Sequence, residues 1–466
     1  MFNVDTAFPF YSRLQDILQP YSAYLVGGAV RDQLLGLPVH DLDFCLPEKT
    51  LEAAKQAADR LGGAYFTLDD QRDAGRVILE DSRGKRHRID FTTFQGEDLE
   101  ADLAARDFTI TAMAVPVNQP DQLIDPLGGQ EDLRNQLIRS CSEEAMQADP
   151  VRILRGVRMA ADYRFRIESR TRDAIRRAVS ELPRVSPERL RDELFRILGS
   201  ADPVTAVRAL NLLGVSAGLF GPGRTVSEDS LRVLNALERF WQALAEDYDP
   251  DAGATWASGL LVTYLGRYRE QVQEHLRQEL VWERSLRELL GFSVLVSGME
   301  AEPKREQFLE SSGRRFRLSS QEIQRMAAAR RGASDFLGSA WEGDQPSALQ
   351  IHRYFKTYGR AGVEAVFLAL AEVDLGEVPG RMDNRWADLL KRARAYLEAW
   401  WEEHDRVVSP PRLIDGHLLQ QALDLAPGPE VGRILQAVQE GQVSGRVHDR
   451  GQALKLARTL LQDGES

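Results

Sequence analysis

Residues 24–46 read YLVGGAVRDQLLGLPVHDLDFCL, and the rest of the chain is read from this stretch outward. Leu25 and Val26 have the character of a buried strand end. Gly27 and Gly28 follow, where a backbone turns tightly or lies close to a ligand. N–H groups at such an elbow, opening a helix that starts near Ala29, make an anion site. Arg31 adds a planar fork suited to phosphate oxygens. Asp41 and Asp43 stand in a second extended segment. Side chains at i and i+2 of a strand share a face, so the two carboxylates point together while Leu42 turns to the core. A carboxylate pair beside a polyphosphate site suits Mg2+, and two ions held there activate an attacking hydroxyl and steady the leaving oxygens of an in-line displacement. No lysine accompanies the glycines, which excludes a Walker P-loop.

The chain has 466 residues, 43% hydrophobic and 28% charged, the composition of an ordinary multi-part globular protein. No long uncharged apolar run predicts a membrane span, and the N-terminal MFNVDTAFPFYSRL lacks the features of a signal peptide. Cys45 and Cys141 are the two cysteines, too few for a disulfide framework; a reduced cytoplasm is the expected compartment. The formal net charge of −12 excludes coating of nucleic acid by overall basicity and leaves a local basic surface open.

Around the opening stretch the pattern is that of a small mixed sheet with helices. Residues 1–23 read as a helical lead-in. Pro47 to Gly63 reads as a helix, with Leu51, Ala54, Ala58 and Leu61 at helical spacing. Strands are expected at 64–68, 76–79 and 88–94, with a turn at Ser82-Arg83-Gly84-Lys85. Asp90, on the last strand, is either a third carboxylate or a partner supporting the first two. From Ala201 onward the chain reads as helical, with breaks near Gly221, Asp249-Pro-Asp-Ala-Gly and Ser409-Pro-Pro-Arg.

GGxxRD followed by DxD resembles the head of class II tRNA nucleotidyltransferases and bacterial poly(A) polymerases, within the polymerase-beta-like superfamily. The resemblance implies an α+β fold: a mixed-sheet nucleotidyltransferase head at 1–140, then an elongated all-helical remainder. That remainder divides into a neck at 141–200, a body at 201–335 and an RNA-binding tail at 336–466. It implies catalytic, Mg2+-binding roles for Asp41 and Asp43, and triphosphate contacts for Gly28 and Arg31. ARDFTITAMA at 105–114 is similar to the family's RRDFTINA; Arg106 and Asp107 match and imply contacts to the incoming nucleotide, while Ala105 and Thr111 depart, removing a charge and an amide near the triphosphate. DPLGGQEDLR at 125–134 matches a third motif, in which Gly128 and Gly129 permit a hinge or form a plain turn.

Ala148-Asp149-Pro150-Val151-Arg152 stands where the family has EDxxR. The resemblance assigns Asp149 and Arg152 to base selection; helix capping is the structural alternative for Asp149. Arg155 and Arg158 are nucleotide or scaffold contacts. SPERLRDELFRI at 186–197 resembles the last neck motif, its Ser186 a cap and Glu188 and Arg189 braces between helices. In family members that add the full CCA, a flexible loop separates the strand before RRD from that motif; its loss goes with enzymes that add two cytidines and stop. Here Gln95 to Ala104 leaves room for a turn and one helical turn.

The resemblance therefore implies cytidine addition from CTP to the 3′ end of immature tRNA, and it implies no protein partner. The alternatives are a full CCA-adding enzyme that also takes ATP, a poly(A) polymerase, or a catalytically weakened RNA-binding relative. His275, His352, His404, His417 and His448 are scattered, and no hydrolase site is expected. Arg314, Arg315, Arg317, Arg325, Arg330 and Arg331, with Phe316, form either an RNA-binding patch or a solvated helix face. Leu418 to Leu461 reads as two helices split by Pro427-Gly-Pro.

Overall fold

The computed structural model describes residues 8, 10–69, 73–81, 84–245, 256–281, 284–301, 303–340, 345–373 and 384–462. Ser82 and Arg83 of the expected turn, the break at 249–253 and the first seven residues of the lead-in lie outside them. The chain forms two compact units, Met1–Thr225 and Val226–Ser466.

The first unit begins with α1 (Tyr11–Leu18), β1 (Tyr24–Val26), α2 (Gly28–Leu34), β2 (Asp41–Leu46), α3 (Thr50–Leu61), β3 (Ala64–Asp69), β4 (Ala74–Glu80), β5 (Arg86–Thr93), α4 (Leu99–Ala104) and β6 (Ala114–Pro116). The strands make one mixed sheet in the order β3-β4-β5-β2-β1-β6, in which β2 and β5 run parallel and the other pairs antiparallel. Alternation along β2 sends Leu42, Phe44 and Leu46 into the core, each at most 1% exposed. Phe44 stacks on Phe91 of β5 at 5.5 Å between ring centres, and each such ring buries enough apolar surface to dominate the local packing.

α3 buries Ala53, Ala54, Ala57 and Ala58, while Leu51 and Leu61 stay half-buried. Small side chains let this helix lie close to the sheet: a Cβ at Gly75 of β4 would sit 3.4 Å from the Ala54 methyl.

The unit continues with α5 (Gly129–Arg134), β7 (Leu137–Ile138), α6 (Ala145–Ala148), α7 (Arg152–Tyr163), β8 (Arg166–Ile167), α8 (Ser169–Ala178), α9 (Pro187–Leu198), α10 (Pro203–Leu212) and α11 (Val215–Phe220). Gly128 and Gly129, read as a hinge or a plain turn, form a hydrogen-bonded turn in the structure. Asp125 accepts the N–H groups of Gly129 (2.7 Å) and Gln130 (2.9 Å). A Cβ at Gly129 would sit 2.3 Å from the Thr109 carbonyl oxygen. Gly129→Ala is therefore expected to cost about 2 kcal/mol of stability, read as a lowered Tm against wild type.

In the second unit α12 (Glu228–Ala243), α13 (Trp256–Leu265), α14 (Arg269–Arg277), α15 (Leu286–Ser297), α16 (Arg305–Arg315), α17 (Ser320–Ala340), α18 (Ala348–Tyr358), α19 (Ala361–Val373) and α20 (Asn384–Trp401) precede three tail helices. α21 (Gly416–Leu423), α22 (Pro429–Val443) and α23 (Arg450–Gln462) share a core around Leu419, Ile434 and Ala453, one helix more than the proline break alone suggested.

Four arginines of the row on α16 and α17 are ion-paired. Arg314 pairs with Glu310 at 3.1 Å, Arg325 with Glu364 at 2.7 Å, Arg330 with Glu372 at 2.7 Å and Arg331 with Glu306 at 2.6 Å. Phe316 is 1% exposed against Phe292, so it is core and offers no ring to a base. No helix among the described residues is long and apolar enough to cross a membrane.

Candidate active site

Strand register brings the elbow to the acids. Asp43 lies between Val26 on β1 and Asp90 on β5, and Gly27 follows Val26 directly. Gly27 has φ +72, and a Cβ there would meet Asp43 Oδ2 at 3.0 Å and Arg106 Nη1 at 3.7 Å. Only glycine leaves that space open.

Asp41, on the same strand face, is ion-paired with Arg88. Asp90 is held by both arms of Arg76, at 2.8 and 2.9 Å. Asp43 accepts no hydrogen bond and makes no ion pair among the described residues. Burial pushes its carboxyl up to about 6, with Asp90 and Asp41 adding to the rise and Arg106 and Arg88 opposing it. A carboxylate left short of positive charge beside two others is the donor chemistry of a hard divalent cation. Asp43 thus has a carboxylate open to Mg2+, with Asp90 beside it, while Asp41 is engaged by Arg88.

Arg106 follows α4. Its guanidinium binds Asp102 through Nε (3.2 Å) and Nη2 (3.0 Å), and Asp102 also accepts the Gln95 N–H at 2.9 Å. Asp98 caps α4 by accepting the Ala101 N–H. Residues 95–106 are thus a closed turn and helix stitched at both ends.

Opposite stands the wall built by α7 and α9. Asp149 is not a cap: α7 starts at Arg152, and its N-terminus has no side-chain cap. Instead Asp149 Oδ2 accepts Arg189 Nη2 at 2.6 Å. Arg152 donates to the carbonyls of Ala105 (2.8 Å) and Arg106 (3.3 Å), tying the wall to the end of α4. Arg155 Nε binds Asp107 Oδ2 at 2.7 Å. Thr111 is buried against Asp107 at 2.7 Å, which makes it a support for that acid; it does not line the cavity.

A cavity of about 560 Å3 between these walls is lined by Asp43, Asp90, Arg106, Asp107, Asp149, Arg152 and Arg155 among the expected site residues. Gly28, Arg31, Asp41 and Arg158 do not line it. Arg31 is not the open phosphate fork the sequence suggested. It is 8% exposed, its Nε 2.8 Å from Asp32, with Tyr163 covering the guanidinium at 4.6 Å. A buried cation needs such a counter-charge. Arg158 binds Glu193 (3.1 Å) and Asp162 (3.3 Å), on the scaffold side of the alternatives it carried.

Arg189, Glu193 and Asp102 also line the cavity and escaped the sequence reading as site residues. Glu193 carried a signal: it falls on the buried stripe of α9 with Leu190, Leu194 and Ile197, where a carboxylate requires partners.

For Asp107, burial pushes the carboxyl up, but Arg155, the Thr111 hydroxyl and the Phe108 N–H outweigh it and hold it at about 2. The folded value lies below the unfolded one, so the stabilisation is present above pH ~4 and is lost as pH falls toward 2. It is of order 2 kcal/mol. Asp107→Asn should flatten this part of the acid-unfolding profile, measured by circular dichroism from pH 6 to pH 2.

Comparison with known proteins shows the family. Residues 23–139 match the family model of the poly A polymerase head domain, and residues 164–225 that of the probable RNA and SrmB-binding site of polymerase A. The CC-adding tRNA nucleotidyltransferase of Geobacter sulfurreducens is 32% identical over 452 residues, 95% of this chain and 93% of that one. The chain belongs to the class II tRNA nucleotidyltransferases. The A-adding tRNA nucleotidyltransferase of Deinococcus radiodurans is 29% identical over 92% of this chain and 93% of that one. Among solved structures, a CCA-adding enzyme complexed with ATP superposes with a TM-score of 0.69 at 23% identity, covering 98% of this chain and 97% of that one. The Thermotoga maritima CCA-adding enzyme complexed with tRNA gives 0.63 at 23% identity, covering 97% and 95%. These similarities establish the fold: an α+β head on a mixed sheet, followed by helices, as in other class II tRNA nucleotidyltransferases.

Proposed function

We propose that this tRNA nucleotidyltransferase adds cytidines to the 3′ end of immature tRNA from CTP, stops after two, and releases pyrophosphate. The observation that carries this reading is the segment 95–106. The family resemblance ties ATP use to a flexible loop at that place, and here α4 is capped by Asp98 and locked by Asp102 to Gln95 and Arg106. Re-posing the base-reading side chains needs a mobile element, and a pocket without one stays set for one base.

Asp41 and Asp43 would hold Mg2+, which supplies charge neutralisation at the polyphosphate and lowers the cost of ionising the attacking hydroxyl. The Gly27-Gly28 elbow keeps side chains away from the nucleotide's phosphates. Arg106, fixed by Asp102, faces them, and Arg155 and Asp107 shape the cavity wall. Asp149 and Arg152 read the base: a carboxylate accepts from an exocyclic amine, and guanidinium N–H groups donate to ring acceptors. Arg31 and Gly28 act on the triphosphate indirectly, through the shape of the elbow, and Arg158 through Glu193. The same reading divides the chain into a head at 1–140, a neck at 141–200, a body at 201–335 and an RNA-binding tail at 336–466, in a cytoplasmic enzyme.

Full-length protein, Mg2+, a tRNA lacking its end and each single nucleotide form the test. Two cytidines and a stop are expected with CTP, and no extension with ATP alone. A complete CCA from mixed nucleotides, single adenosine addition to a tRNA ending in CC, or a long adenosine tail would each replace this reading.

A further inference from the structure

Asp149 is already engaged before any nucleotide arrives. Its Oδ2 accepts Arg189 Nη2 at 2.6 Å, and Oδ1 has no hydrogen-bond partner among the described residues. Arg189 comes from α9, forty residues further on, and both side chains line the cavity. Their side chains are 55% and 29% exposed, so the pair contributes little to stability. Arg152 is fixed independently on the carbonyls of Ala105 and Arg106.

We infer that Arg189 is a specificity-determining positioning residue: by occupying one oxygen of Asp149 it leaves the other as a single acceptor of set direction. The inference rests on the assignment of Asp149 to base reading. A carboxylate free to rotate presents either oxygen over a wide arc and tolerates a displaced base. One tied at Oδ2 presents a single acceptor at one place. The cytosine amine at C4 is a donor and satisfies that acceptor. Uracil has a carbonyl at the same position, so two acceptors would face each other with no proton between them. Arg189 thus converts a general preference for donors into rejection of the pyrimidine of similar size. Adenine also carries an amine there, and its exclusion falls to the space left by the fixed wall.

The test compares kcat/KM for CTP and UTP with a tRNA lacking its end, in single turnover, for wild type, Arg189→Ala, Arg189→Lys and Asp149→Ala. Thermal melts establish that each variant is folded. In Arg189→Ala the CTP-to-UTP ratio is expected to fall by at least about tenfold, with the loss in CTP use appearing more in KM than in kcat. Lysine should restore part of the ratio, since it keeps the charge without the fork. Asp149→Ala should lower the ratio as far or further. A ratio that collapses in Asp149→Ala and is unchanged in Arg189→Ala overturns this inference alone. A ratio unchanged in both overturns the base-reading assignment and this inference with it. A rise confined to the KM for tRNA in Arg189→Ala, with the ratio intact, also overturns it by making Arg189 an acceptor contact.

Discussion

Asp43→Asn is expected to abolish cytidine addition, lowering the rate by at least about 10³-fold, while leaving the protein folded and slightly more stable. Asparagine keeps the shape and one oxygen but removes the charge a divalent cation needs. The stability gain follows from the environment of the acid. Asp43 is pushed up to about 6 by burial and by Asp90 and Asp41, above its unfolded value. Its ionised form is therefore disfavoured in the fold. This penalty is absent below pH ~4 and is fully present above pH ~6. Removing the charge relieves it at neutral pH, and each ~1 kcal/mol relieved raises Tm by about 2–4 °C. The measurements are incorporation of labelled CTP and melts at pH 7 in chelator. An active Asp43→Asn enzyme would remove this acid from the catalytic centre. An inactive one with a sharply lowered Tm would mean the loss comes from misfolding.

Gly27→Ala is expected to lower the rate by about 10²-fold. Alanine meets two penalties here. The backbone sits at φ 72, ψ −137, a region held essentially by glycine, with a strain of order 1–3 kcal/mol. The new methyl would also stand 3.0 Å from Asp43 Oδ2, so relief moves the acid, the elbow or both. Gly36 makes a useful control. It too has positive φ, at +69, but a Cβ there meets nothing within 4 Å, so Gly36→Ala should show the strain without the kinetic loss. Steady-state kinetics and melts on the pair separate backbone strain from damage at the acid.

The parts of the site that were legible lie close together in the chain. Alternation alone put Asp41 and Asp43 on one face of β2, and the double glycine marked the elbow. What could not be read was which charge answers which. Arg31 looked like an open fork because its cover, Tyr163, lies 131 residues away from Asp32, to which its hydroxyl donates. Arg325 and Arg330 looked like a cationic surface because Glu364 and Glu372 arrive on another helix. Asp149 looked like a cap because Pro150 suits a first helical turn, yet α7 begins two residues later and the carboxylate turns to Arg189. Local pattern specifies elements and faces; long-range electrostatic partnering is set by tertiary assembly, and periodicity carries no record of it.

α7 spans twelve residues from Arg152 to Tyr163, a rod of about 18 Å. One end is anchored on the carbonyls of Ala105 and Arg106, and the other lies over Arg31 beside the glycine elbow. In the proposed function these ends are the base and phosphate surroundings, which are thereby mechanically coupled, because neither end can shift without dragging the other. For evolution this makes α7 a poor place to retune substrate choice. Divergence in nucleotide preference is better accommodated by the parts that lean on the rod, α4 and α9, whose contacts can change one at a time.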